Sequence, residues 1–179
     1  GSKGCEITAD AQGNAKLVYD KDSDWGGRLS YMEGVKLDGL EITLTNMNID
    51  EGAAPCLVIG NEQGQWSDSD APLFIHFNKK SSETLGAVEH GYILAKADKG
   101  DAKPRMINET ALNGPLAPEM KLSFKKKNDT TWTYTVNGQA FDFDASYLAA
   151  LTDLDAVYLN FGNWTQGKYG VSYVVANIK

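Results

Sequence analysis

The sequence predicts an all-β protein built as an antiparallel β-sandwich of two sheets with one short helix. Its 179 residues include 18 Gly but only 5 Pro, and short apolar runs rich in Thr and Tyr alternate with polar turn sequences, a pattern typical of strands. A single open sheet of about eleven strands would leave one apolar face uncovered. We therefore expect two sheets packed face to face.

Each predicted strand is a run of apolar, β-branched or aromatic residues between turn-forming residues. In chain order the runs are Ala15–Tyr19, Arg28–Met32, Leu40–Asn46, Cys56–Ile59, Leu73–Asn78, Gly91–Lys96, Met120–Lys125, Thr131–Val136, Ala140–Phe143, Ala156–Gly162 and Val171–Ile178. Three segments rich in Gly, Pro, Asp and Ser are expected to be loops: Glu51–Pro55, Asn61–Pro72 and Asp98–Pro118. The helical candidate is Ala145–Leu151, which is short enough to connect two strands.

The clearest local signal is a hairpin centred on Asn137-Gly138. Alternating residues precede and follow this pair, and Asn-Gly supplies the two positive-φ residues that a type I′ turn requires. We expect Thr131–Val136 and Ala140–Phe143 to pair across this turn.

Length and composition suit one globular domain. Of the residues, 42% are hydrophobic and 23% charged, which is enough for a core that needs no metal or disulfide. Gly1-Ser2 is typical of the scar left by a cleaved tag. We expect residues 1–14 to be this scar and an N-terminal extension, residues 15–179 to be the β-sandwich domain, and the chain to be a fragment of a longer protein.

Charge and the length of the apolar runs argue against two partners, nucleic acid and the membrane interior. Lys and Arg number 17 against 24 Asp and Glu, so the net charge is −7, which repels phosphate backbones and makes nucleic acid an unexpected partner. The apolar runs are far shorter than the roughly 20 residues needed to cross a bilayer, so we expect no membrane insertion.

The two cysteines, Cys5 and Cys56, lack the CxxC spacing of a zinc or redox site. The choice lies between two thiols and one disulfide.

Several segments, in their order along the chain, carry a family resemblance. They are Leu37–Thr45, Cys56–Gly60, Leu122–Lys125, Thr133–Gly138, Tyr158–Gly162 and Val171–Ile178. Over about residues 15 to 178 this strand pattern resembles the concanavalin A-like lectin/glucanase superfamily, and within it laminin-G-like domains and carbohydrate-binding modules of bacterial surface and secreted proteins. The resemblance implies a jelly roll of two curved sheets, whose concave sheet often carries a glycan groove, sometimes with a calcium ion at its edge.

Strand alternation separates core residues from candidate ligand-binding residues. In Leu73–Asn78, the apolar residues Leu73, Ile75 and Phe77 share one face, so Phe74, His76 and Asn78 share the other. In Tyr158–Phe161, Leu159 and Phe161 are expected to point inwards, and Tyr158 and Asn160 outwards. We expect His76, Asn78, Tyr158 and Asn160 to line an exposed polar groove; the alternative is an ordinary solvated sheet face.

Three tryptophans are candidate stacking platforms for sugar rings. Trp25, Trp66 and Trp164 all lie in turn-like sequences, where a large apolar ring does not contribute to a strand, and sugar C–H faces stack on aromatic rings. The alternative for each is a lid over the edge of the core. Trp132 alternates with Tyr134 and Val136 and is expected to be core.

The acidic run Asp20, Asp22 and Asp24 resembles the start of an EF-hand loop. The match then fails, since Trp25 stands where the loop needs Gly and Tyr31 where it needs Glu. These carboxylates are a weak candidate site for a structural calcium ion, and a solvated acidic turn is the alternative.

No catalytic motif is visible in the sequence. Glucanases of the resembled superfamily place two catalytic carboxyls in a Glu-x-Asp-x-x-Glu strand, which this sequence lacks. We therefore expect no enzyme, but a non-catalytic carbohydrate-binding module that anchors a larger extracellular or cell-surface bacterial protein, with its other modules, to a glycan. The alternative is a laminin-G-like adhesion or spacer domain that binds protein or presents its neighbours.

Overall fold

The structure, a computed structural model, describes residues 5–19, 28–50, 53–65, 72–78, 91–96, 105–111, 118–163 and 170–179; at residues 78, 91–96 and 105–111 it describes the backbone alone. In chain order the strands are β1 (Cys5–Ala9), β2 (Ala15–Tyr19), β3 (Leu29–Ser30), β4 (Glu41–Ile49), β5 (Pro55–Gly60), β6 (Leu73–Asn78), β7 (Gly91–Lys96), β8 (Arg105–Ala111), β9 (Met120–Lys126), β10 (Thr131–Val136), β11 (Gln139–Asp144), β12 (Tyr158–Asn163) and β13 (Val171–Ile178). A short 3₁₀ helix spans Ala145–Leu148. No helix among these residues is long and apolar enough to cross a membrane.

The strands form two antiparallel sheets. The seven-stranded sheet has the order β1-β2-β13-β4-β9-β10-β11, and the six-stranded sheet has the order β3-β12-β5-β6-β7-β8. The predicted all-β sandwich is therefore confirmed. Both sheets mix strands that are distant in sequence, because the chain crosses repeatedly from one sheet to the other.

The core fills the space between the two sheets. On β10 buried and half-buried residues alternate, so Trp132, Tyr134 and Val136 enter the core as predicted. The Tyr134 ring packs on Phe124 of the neighbouring β9, with 5.0 Å between the ring centroids. Across the core, the Tyr173 hydroxyl on β13 donates a 2.9 Å hydrogen bond to the Gly162 carbonyl on β12, which ties the two sheets together.

The predicted hairpin is confirmed. Val136 and Gln139 pair directly, which leaves Asn137 and Gly138 as a two-residue turn with φ of 47° and 79°. The Asn137 side chain accepts a 2.8 Å hydrogen bond from the Lys121 N–H, so the turn is also attached to β9.

Three elements differ from the sequence prediction. Strand β1 precedes the first predicted strand and pairs with β2. Cys5, Ile7 and Ala9 alternate with Glu6 and Thr8, but the strand is short and mostly exposed. Strand β8 lies inside Asp98–Pro118, which the sequence predicts to be a loop, and it pairs with the preceding strand β7 at the edge of the six-stranded sheet. The predicted helix Ala145–Leu151 is shorter, a 3₁₀ turn capped by the Asp144 carboxylate, which accepts from the Ser146 N–H at 2.8 Å.

Both cysteines are thiols in the structure and not a disulfide. Cys56 is buried on β5, and this burial raises the pKa of its thiol well above the ordinary value. Burial also raises the pKa of the half-buried Cys5 thiol, partly opposed by its hydrogen bond with Tyr19.

Replacing Gly138 by Ala is expected to lower the free energy of unfolding by about 1 kcal/mol, because an Ala residue resists the positive φ of this position. A Cβ here meets no atom within 4 Å, so the loss comes from the backbone alone. Urea unfolding measures it. Gly138→Asn is the matched control, since Asn tolerates positive φ and should lose less; equal losses would contradict the assignment of the turn.

Native protein at about pH 8 should react slowly with a disulfide thiol reagent, because raised thiol pKa values leave little thiolate and Cys56 is inaccessible. In denaturant without reductant, both thiols should titrate. The Cys5→Ser variant isolates the response of Cys56. Absence of any titratable thiol in denaturant would instead show that Cys5 and Cys56 are paired.

Candidate functional site

The candidate site lies on the side of the six-stranded sheet that faces away from the core. Leu73, Ile75 and Phe77 of β6 are fully buried in the core, as are Leu159 and Phe161 of β12, as the alternation predicts. The opposite side, here called the outer face, carries Cys56, Val58, Phe74, His76, Tyr158 and Asn160. The sequence prediction thus assigns Phe74, His76, Tyr158 and Asn160 to the correct side of the sheet.

Strand pairing arranges the outer face in rows that run across the sheet. One row consists of Ser30, Asn160, Val58, Phe74 and Ala95. The next row consists of Gly162, Cys56, His76, Ile93 and Glu109. Strands lie about 4.8 Å apart and residues i and i+2 about 7 Å apart, so His76 and Asn160 are separated by roughly 12 Å. A ligand that contacts both would span β12, β5 and β6.

The outer face is more covered than the sequence predicts. Asn160 has no solvent exposure and Phe74 is 4% exposed, whereas the expectation was an open, solvated groove. That expectation is wrong for Asn160 and Phe74. His76 and Tyr158 are half-buried and keep part of their surface open. Asn78 follows His76 on β6 and is described in its backbone only.

The turn at residues 61–65 accounts for the burial of Asn160. The Gly64 N–H donates to the Asn160 side-chain oxygen at 3.0 Å. The Asn160 side-chain nitrogen is also buried and has no hydrogen-bond partner among the residues that the structure describes. Buried amide nitrogens usually have a hydrogen-bond partner. The region beneath this turn is therefore polar and contains an unused hydrogen-bond donor among the described residues.

Asn61 holds this turn in place. Its side-chain nitrogen donates to the Ala150 carbonyl at 2.9 Å, and its side-chain oxygen accepts from the Thr152 N–H at 2.8 Å. The Gln65 side chain accepts from the Asn61 N–H at 2.7 Å. The sequence prediction missed Asn61 and Gly64. Asn61 holds residues 89 and 91 positions away, and Gly64 contacts a residue 96 positions away, so no local pattern reveals these hydrogen bonds.

The other predicted site residues lie outside the described residues. They are the stacking candidates Trp25, Trp66 and Trp164 and the calcium candidates Asp20, Asp22 and Asp24. In sequence, Trp66 directly follows the turn at 61–65, and Trp164 directly follows β12. Within the described part of the chain, no group of His, Cys, Asp and Glu side chains is arranged to hold a metal ion.

Comparison with solved structures shows the fold. A glycoside hydrolase family 16 endo-glucanase from Bacteroides ovatus superposes with a TM-score of 0.61 at 13% identity, covering 95% of this chain and 82% of that one. The carbohydrate recognition domain of Emp47p gives 0.60 at 8% identity, covering 96% and 84%. Alginate lyase A1-II′ gives 0.55 at 9% identity, covering 97% and 81%. The fold is the concanavalin A-like jelly roll.

The assignment is one of fold alone and rests on structure, since no protein-family model and no curated protein sequence matches the chain. It also corrects one expectation. The expectation that this chain is not an enzyme is contradicted, because structures of two enzymes, an endo-glucanase and an alginate lyase, superpose on nearly all of it. Absence of the Glu-x-Asp-x-x-Glu motif excludes one arrangement of catalytic carboxyls, whereas the same fold hosts several chemistries.

Replacing Asn160 by Ala is expected to lower the free energy of unfolding by about 1–3 kcal/mol, because the fully buried Asn160 side chain is removed and the half-buried Gly64 N–H loses its acceptor. Hydrogen exchange should show faster exchange of the Gly64 amide. Asn48→Ala, at an exposed position on β4, is the matched control and should change stability by less than about 0.5 kcal/mol. Unchanged exchange at Gly64 would show that Asn160 does not hold the turn.

Proposed function

We propose that this protein binds carbohydrate through the outer face of its six-stranded sheet, with His76 and Tyr158 in contact with the glycan. The observation that carries the proposal is the placement of these two half-buried polar rings on one face of a concanavalin A-like sheet. The carbohydrate recognition domain of Emp47p and the B. ovatus endo-glucanase share this fold, which supports glycan as the ligand class.

The chemistry of the two rings suits a sugar. An imidazole offers a hydrogen-bond donor, an acceptor, or two donors, and a phenol offers both functions, which match the hydroxyls of a sugar ring. The Phe74 and His76 rings lie 5.3 Å apart with 44° between their planes, so the imidazole is packed against a neighbour on β6. A ring held in this way loses little conformational entropy when it binds a ligand.

The proposal extends to residues outside the described part of the chain. Trp66 and Trp164, next in sequence to Gln65 and Asn163, are proposed to stack on sugar rings, as is Trp25. Asp20, Asp22 and Asp24 are proposed as a calcium site. We further propose that the protein works outside the cell or at its surface and holds a larger protein against a glycan; the resemblance of the strand pattern to modules of secreted proteins supports this.

A glycan array probed with the purified protein, with and without calcium, tests the proposed function. The double variant His76→Ala with Tyr158→Ala should weaken binding to each glycan hit by about tenfold or more, equivalent to at least about 1.4 kcal/mol. Tyr147→Ala removes an exposed tyrosine beside the opposite sheet and should leave the affinity unchanged. Calorimetry on the hits measures both effects.

Two results would contradict the proposal. Silence across plant, host and microbial glycans would rule out carbohydrate as the ligand. Binding that both the double variant and Tyr147→Ala leave unchanged would move the site away from the outer face. Release of reducing ends from a bound glycan, measured in the same samples, distinguishes a hydrolase from a binding protein.

A further inference from the structure

A cavity lies at the edge of the sandwich, beside the β3 end of the outer face. It has a volume of about 490 Å³ and is lined by the start of β2, by β3 and the residues that follow it, and by the end of β13. We call it the edge cavity, and its lining includes Asn14, Ala15, Leu29, Ser30, Tyr31 and Val175. This volume lies within the range of about 300–1,000 Å³ typical of small-ligand sites.

One wall of the edge cavity is apolar. Ala15 and Val175 are direct partners on β2 and β13, and Val175 belongs to the core. Leu29 pairs with the core residue Phe161 and packs against the core itself. This wall presents the kind of surface on which the C–H face of a sugar ring rests.

The other wall provides backbone hydrogen-bonding groups. Strand β3 ends the six-stranded sheet, with β12 as its neighbour, and the Tyr31 N–H donates to the Leu159 carbonyl at 3.0 Å. Because bonded and non-bonded pairs alternate in an antiparallel ladder, the N–H and C=O of Ser30 point away from β12, toward the side of β3 on which no described strand pairs. The edge cavity therefore has one backbone donor and one backbone acceptor at Ser30.

Tyr31 adds a side-chain hydroxyl. Its ring stands edge-on to Phe161, with centroids 5.8 Å apart and 69° between the planes, so its position is set by the core. Partial burial raises the pKa of this phenol, so it remains a neutral hydroxyl that donates and accepts. The Tyr31 backbone N–H donates to Leu159 on β12, so the hydroxyl is the group of Tyr31 that can bind a ligand.

We propose that the edge cavity binds a single sugar ring, such as the end of a glycan chain, independently of the outer face. A ring has one apolar face for the half-buried Ala15 and Leu29 and several hydroxyls for the Ser30 backbone and the Tyr31 hydroxyl. An added peptide strand fits less well, because β3 offers the free backbone groups of one residue only. The choice of sugar as ligand class rests on the proposed function.

Saturation-transfer NMR tests the proposal with a mixture of the methyl glycosides of glucose, galactose, mannose, xylose, N-acetylglucosamine and glucuronic acid. Each is present at about 10 mM, above the millimolar Kd expected of one ring. Wild-type protein should transfer saturation to at least one glycoside and shift the Ser30 amide resonance. Ala15→Leu, which fills the cavity, should abolish both effects, and Tyr31→Phe should raise the Kd by about two- to tenfold.

Two controls separate this site from the outer face. Ala140→Leu makes the same substitution at an exposed position on β11 and should retain the signals. The His76→Ala, Tyr158→Ala variant should also retain them. If Ala15→Leu fails to fold, Tyr31→Phe and the Ser30 shift still decide the outcome.

Absence of any signal from wild-type protein, or equal signals in wild type, Tyr31→Phe and folded Ala15→Leu, would overturn the edge cavity as a sugar site. If array binding through the outer face persists in that case, the proposed function stands while this inference fails. Silence in both experiments would overturn both.

Discussion

The alternation of side chains along β12 is the constraint on which the core and the candidate site both depend. Leu159 and Phe161 enter the core, while Tyr158 and Asn160 face the other way. Slipping the pairing of β12 by one residue would exchange these two sets, placing an amide in the core and a phenylalanine on the outer face. Burial of apolar surface between the sheets therefore also fixes which polar groups face a ligand.

The turn at residues 61–65 covers part of the outer face and so determines which side chains a ligand can contact there. The turn at 61–65, held by Asn61 to the segment at 150–152, places Gly64 on the buried Asn160. His76 and Tyr158 remain partly open on either side of β5. Lectins and polysaccharide-cleaving enzymes share this fold, so the difference between binding and cleavage resides in such local arrangements and not in the sheets.

The outer face and the edge cavity meet at one pair of residues. Ser30 on β3 pairs with Asn160 on β12, so the row that carries Asn160 ends at the strand whose free edge borders the cavity. The same short strand thus closes one side of the sheet and leaves backbone groups open on the other. Tyr31, anchored on Leu159 and Phe161, links this edge to the core.

The sequence by itself determined the features that depend on local pattern. Alternation placed Leu73, Ile75 and Phe77 in the core, and Asn137-Gly138 specified its turn through backbone φ alone. Only the tertiary structure decided that β1 and β8 are strands, that Asn160 is buried, and that a cavity lies beside Tyr31. The burial of Asn160 and the cavity depend on contacts between residues far apart in the chain. Strands β1 and β8 each pair with the adjacent strand in the chain at the edge of a sheet, and local sequence carries little information about either kind of contact.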